Sequence, residues 1–216
     1  NGVSYLDENG SKQTADNVTV VESGTTAWNG GWYVVNGVVT IGSRVTVSGE
    51  VHLILADNAS LTVNDGINVA EGNSFSVYAQ SVGENTGRLT ANSGGWGAGI
   101  GGGNGKAAGT ITIHGGNVTA TGGDSGAGIG GGYDASGGNI TIHGGSVTAT
   151  CGSLAAGIGD GNGGSGGSFA TGADGHALIF ANGGISDTSS RDSWSGIFFD
   201  GNTGTVYGLS LIHISE

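Results

Sequence analysis

Residues 97–125 read GAGIGGGNGKAAGTITIHGGNVTATGGDS, and residues 126–153 read GAGIGGGYDASGGNITIHGGSVTATCGS. The second stretch is the first moved on by 29 positions: Ile100, Ile129 and Ile158 recur at that spacing, as do His114 and His143. Each copy holds three short apolar alternations between glycines: G-A-G-I, I-T-I (Ile111 to Ile113) and V-T-A-T (Val118 to Thr121). Alternation built on β-branched residues marks strands, and no stretch carries a helical apolar stripe of useful length. Strands this short bury nothing alone. The pattern therefore predicts an all-β solenoid of three short strands per rung, in which residues one repeat apart sit side by side, about 4.7–4.9 Å from strand to strand.

Working outward, the same three faces run back through the less regular upstream sequence, where the step shortens to about 22 residues (Thr40 to Thr62). One face takes Val39 to Ile41, Leu61 to Val63, Leu89 to Ala91, Val118 to Ala120 and Val147 to Ala149. A second takes Val45 to Val47, Ile67 to Val69, the G-A-G-I strands and Gly196 to Phe199; the third takes Leu53 to Leu55, Phe75 to Val77, the I-T-I strands and Leu178 to Phe180. The expected organisation is a cap over 1–35, rungs over 36–208 (clearest at 97–125 and 126–154), and a non-native tail over 209–216, which matches nothing upstream and resembles translated adapter sequence from a metagenomic gene model.

Glycine supplies 50 of the 216 residues, against about 7% in ordinary proteins. Tight corners that need positive φ explain the excess. Collagen is excluded, because there is no Gly-X-Y triplet and no proline. A phosphate loop is excluded, since Gly105-Lys106 is followed by Ala107 and Ile100 stands where the first glycine belongs. Lone Cys151 allows no disulfide framework. Five Lys plus Arg against seventeen Asp plus Glu, a net charge of −12, is the wrong sign for nucleic acid. No apolar run is long enough to span a membrane, and no N-terminal stretch reads as a signal peptide.

The run WYVV..VVTI..RVTVSGEVHLILADNASLTV, followed by GAGIGGG…G.ITIHGG.VTATGG, resembles the right-handed parallel β-helix segments of large surface proteins of gut Firmicutes and related bacteria, often described as carbohydrate-binding domain-containing. The resemblance covers about residues 3–208. It implies a right-handed coil and a secreted or cell-surface module, and carries no catalytic motif onto residues of this chain. The acidic charge, the absence of methionine and the near absence of cysteine agree with export.

A solenoid repeats each outward side chain as a ladder, so candidate sites are arrays or breaks in arrays. Thr40, Thr62, Thr90, Thr119 and Thr148 form one file, with Thr121 and Thr150 beside it; such files order water on ice-binding solenoids, but threonine also suits any exposed strand. His114 and His143 should stack, extending toward Tyr78, as a plain exposed ladder or a weak metal candidate lacking a repeating third ligand. A β-helix hydrolase needs converging carboxylates. Acids inside the repeats do not align, which leaves Asp187, Asp192 and Asp200, with Arg191 and Trp194, as catalytic candidates. Trp96, Tyr133, Asp134 and Trp194 are candidate ligand-binding residues, since aromatic faces stack on sugar rings while acids take hydroxyls. Trp28, Trp32 and Tyr33 are expected at irregular segments near the cap. No cofactor is expected, apart from calcium between corners such as Asp134 and Asp160. The partner expected is a polysaccharide or glycoprotein glycan bound by a non-catalytic adhesion module. A polysaccharide-active enzyme and an ice- or surface-binding solenoid are the alternatives.

Overall fold

The structure, a computed structural model, describes residues 2–187, 197–200 and 205–207. It is a right-handed parallel β-helix preceded by an antiparallel hairpin, Val3–Leu6 against Lys12–Ala15. Among the described residues there is no helix, and so none that is long and apolar enough to cross a membrane.

The rungs stack at the spacing set by the repeat. Ile100 pairs with Ile129 and Ile129 with Ile158; Ile111 pairs with Ile140, and Val118 with Val147. Upstream, Leu61 lies between Val39 and Leu89, and Ile67 between Val45 and Ile100. Alternation decides what is buried. The inward files Val45–Ile67–Ile100–Ile129–Ile158 and Val51–Phe75–Ile111–Ile140 are almost wholly shielded. Each such side chain contributes about 1.5–3 kcal/mol relative to exposure.

The second face is the narrowest, with strands of two residues such as Ile100–Gly101 and Ile129–Gly130. Gly101, Gly130 and Gly159 all take positive φ, at 139°, 137° and 124°. A Cβ on Gly130 would fall on the carbonyl oxygen of Gly159, one rung on. The G-A-G-I-G motif is therefore a device for backbone-to-backbone stacking.

Two parts of the predicted register change. Ser168–Asn182 is one long strand whose start, Phe169, follows Ile140 on the third face, while Leu178, Ile179 and Phe180 lie on the first face beside Ser146, Val147 and Thr148. Ile197 to Phe199 then pair with Leu178 to Phe180, also on the first face, and Ile185 bridges Ile158 on the second. The difference arises because Leu178 and Phe180 point outward where the preceding rung carries Ser146 and Thr148. At the other end, the stretch expected as a cap holds the hairpin but also Ala27–Val35, which pairs in parallel with Val45–Leu55. Trp28 there is fully buried against Phe75 and Tyr33, with its indole N–H donating to Thr25 O. Both it and Tyr33 are core residues and do not cover an irregular segment.

Arg44 is the unusual interior group. Its guanidinium donates to the carbonyls of Asp65 (2.8 Å), Ala98 (3.3 Å), Gly101 (3.4 Å) and Gly102 (3.2 Å) and to Ser93 Oγ (3.1 Å). One side chain thus ties its own rung to the two that follow.

Candidate functional site

Two surfaces gather chemistry. The first lies under the N-terminal hairpin. The position after the last inward residue of the third face (Val77, Ile113, Ile142) carries Tyr78, His114 and His143, one per rung, and the parallel register stacks their rings. Tyr78 and His114 are 4.4 Å apart at 6°, His114 and His143 4.9 Å apart at 1°. Trp32 stacks on His52 at 4.4 Å, and Tyr5 from the hairpin packs on Trp32 and Tyr78. Tyr78 joins Ala15, Val34 and Ile54 in a satellite core that fixes the hairpin to the solenoid.

His114 is consequently not an exposed ladder residue. Its side chain is 10% exposed, and its Nδ1 is buried with no hydrogen-bond partner among the described residues, 3.9 Å from Glu8 Oε2. A groove of about 570 Å³ opens beside it, lined by Asp7, Glu8, His114, His143 and His176 with glycine backbone between them. Burial first, and then neighbouring His143, push the His114 pKa down to about 4, while burial pushes Tyr78 up to about 12. The two stacked imidazoles lie parallel instead of aiming nitrogens at one point, and among the described residues no group of three or more His, Cys, Asp or Glu is arranged to hold a metal ion.

This burial sets a pH dependence. A histidine whose folded pKa lies below the unfolded 6.5 binds its proton more weakly in the native state, so protonation favours unfolding. Its neutral form is fully tolerated above about 6.5, and stability falls as pH drops from there toward about 4. His52, also lowered chiefly by burial, acts in the same direction. Urea unfolding at pH 7 and pH 5 should show a loss at the lower pH that His114→Phe, which keeps the stack, substantially removes. An equal loss in the variant would contradict the assignment.

The second surface is a corner. Residues 93–95, 122–124 and 151–153 occupy the same place on three successive rungs and form a shallow trough of about 540 Å³. Its floor is glycine backbone, and Ser93, Asp124, Cys151 and Ser153 supply polar groups. Burial pushes the Cys151 thiol up, so it is a poor thiolate source. Trp96 follows the trough directly. Because the second-face strand is two residues long, the corners on either side of it meet: Tyr133 N donates to Trp96 O at 2.9 Å, and the rings lie edge to face at 5.0 Å. Trp96 is 48% and Tyr133 37% exposed.

The other sequence candidates separate. Asp134 is exposed next to Tyr133 at φ 53°. Asp160 is a corner brace, its Oδ1 accepting from Gly137 N (2.7 Å) and Gly167 N (3.0 Å). Asp187 Oδ2 accepts from Phe169 N at 3.0 Å. Asp192, Arg191 and Trp194 and the tail 209–216 lie outside the described residues, and Asp200 is described only as backbone of Ile197–Asp200. Thr40, Thr62, Thr90, Thr119 and Thr148 are register partners in a single file that continues onto Phe180 and Phe199. Sequence reasoning missed Glu8 and the glycine trough. The repeat itself held a signal for the trough, in the 29-residue recurrence of Gly94, Gly123 and Gly152; nothing in the repeat announces a hairpin that folds back over it.

A family model described as a beta helix repeat matches residues 111–133 and 140–162. Its two matches begin at the register partners Ile111 and Ile140, so they lie one rung apart. No curated protein and no solved structure matches the chain. By fold and by repeat, the chain contains a parallel β-helix segment.

Proposed function

We propose that this solenoid is a non-catalytic extracellular module that binds glycans at the corner formed by Trp96, Tyr133 and the glycine trough. The observation that carries the reading is the exposed Trp96–Tyr133 pair, held by backbone bonding between successive rungs at the edge of a polar trough. A saccharide ring lays its C–H face on an aromatic side chain and gives its hydroxyls to nearby acids, amides and backbone. Asp134, exposed next to Tyr133, and Asp124, in the trough, would take the second task. Rigidity favours binding, because little side-chain order has to be lost on contact.

Trp96→Ala and Tyr133→Ala are each expected to weaken retention on a polysaccharide affinity gel or glycan array by about 1–2 kcal/mol, five- to thirtyfold, without lowering thermal stability. Undiminished binding in both variants would refute the assignment. A reducing-sugar assay on the same polysaccharides should stay flat. Release that Asp187→Asn abolishes would favour the enzyme reading instead. The in-register threonine file favours a water-ordering surface, but it is replaced by Phe180 after five rungs, and we expect no thermal hysteresis.

A further inference from the structure

We propose that the groove beneath the N-terminal hairpin is a second binding site, one that takes a primary ammonium group. One polar atom beside the groove has an unmet need. His114 Nδ1 is buried and without a partner among the described residues, and the facing atom, Glu8 Oε2, stands 3.9 Å away. That gap is too long for a direct hydrogen bond, and short enough for one donor atom to sit about 2.7–3.2 Å from both.

The neighbouring groups select the donor. Asp7, the adjacent acid, is already engaged: its carboxylate accepts from Asn9 N, Ser11 N and Gln13 Nε2. Glu8 is half-exposed at the groove's mouth. His143 and His176 also line the groove, and among the described residues no lysine or arginine does. Two carboxylates without a cation favour a positively charged ligand, and the chain's net charge of −12 adds to that field. An ammonium brings three donors and one positive charge. It can donate to Glu8 Oε2 and, in the Nε2-protonated tautomer of the ring that the depressed pKa keeps neutral at pH 7, to the His114 Nδ1 lone pair. The apolar remainder of the ligand would lie against Leu6, Ala79 and Val82. A deacetylated amino sugar and a lysine side chain both present this group. The proposal does not depend on the Trp96–Tyr133 corner.

The test is a titration of the whole chain, followed through its histidine ring resonances by NMR at pH 7, with glucosamine, Nα-acetyl-lysine methylamide, N-acetylglucosamine and glucose. Saturable shifts of His114 are expected with the two amines and not with the two neutral sugars. Tighter binding of glucosamine than of the lysine derivative would mark the sugar as the source, and the reverse would mark a peptide. Glu8→Gln should weaken the amines at least about tenfold by removing a charge-assisted hydrogen bond, with the aromatic resonances of Tyr78 unmoved to show that the stack is intact. Trp96→Ala should leave the titration unchanged, so failure of the glycan reading at the other corner would be seen separately. Silence with both amines, an equal response to N-acetylglucosamine, or unaltered affinity in Glu8→Gln would overturn the proposal.

Discussion

Replacing Gly130 with alanine should lower stability by about 4 kcal/mol or more and the melting temperature by about 10 °C. Gly130 combines two demands that only glycine, among the amino acids, meets. Its φ of 137° lies where an L side chain is strained by about 1–3 kcal/mol. Its missing Cβ leaves room for the carbonyl oxygen of Gly159, to which Gly131 N donates at 2.9 Å, while Gly130 O accepts from Gly102 N at 2.8 Å. A methyl group there must push apart two rungs whose contact on this face is a strand of two residues. Gly42→Ala is the matched control: among the described residues nothing lies within 4 Å of its added Cβ and its φ is ordinary, so it should change stability by no more than about 0.5 kcal/mol. Thermal unfolding followed by circular dichroism compares the two. Equal melting temperatures would show that the rungs do not touch as described.

Arg44→Met should cost about 3 kcal/mol or more, read as a shift in the urea midpoint. The substitution keeps most of the apolar stem and removes the fork, leaving the carbonyls of Asp65 and Ala98 without this donor, while those of Gly101 and Gly102 keep their bonds from Val69 N and Ala98 N. Each buried acceptor left unpaired costs about 1–3 kcal/mol, tempered where water or neighbouring N–H groups enter. Arg44→Lys should rescue little, because a point charge with three donors does not span acceptors spread over three rungs as a planar guanidinium does. A lysine variant as stable as the parent would mean that the charge matters and the fork does not.

Arg44 also shows where reading a sequence stops. The repeat announced the rungs because it records a local rule, an inward Ile or Val followed by an outward Thr, applied again every 29 residues. Ile100, Ile129 and Ile158 needed no structure to be placed side by side. Arg44 breaks no local rule: it precedes Val45 as Gly66 precedes Ile67, and only the coil brings it under residues more than fifty positions later. The hairpin is similar. Tyr5 and Glu8 carry no periodic signal, so the burial of Tyr78 and His114 beneath them could not be anticipated, and an imidazole file that reads as exposed becomes the wall of a groove. Phe180 misled for the opposite reason. Its apolar side chain points outward in the threonine file, and alternation therefore assigned its strand to the wrong face. At the candidate sites, Trp96 and Tyr133 were legible as unusual residues in glycine corners. Their meeting depended on the two-residue length of the strand between those corners, a length that periodicity alone does not define.

The most direct test of the stacked coil is a disulfide between register partners. In a Cys151→Ser background, Thr119→Cys with Thr148→Cys places two outward thiols on adjacent parallel strands, within the span a disulfide bridges. Mild oxidation should link them quantitatively within one chain, as judged by mass spectrometry of the tryptic peptides, whereas Thr62→Cys with Thr119→Cys, two rungs apart, should stay reduced. Failure of the first pair to link, or equal linking of both, would contradict a coil in which residues 29 apart lie side by side.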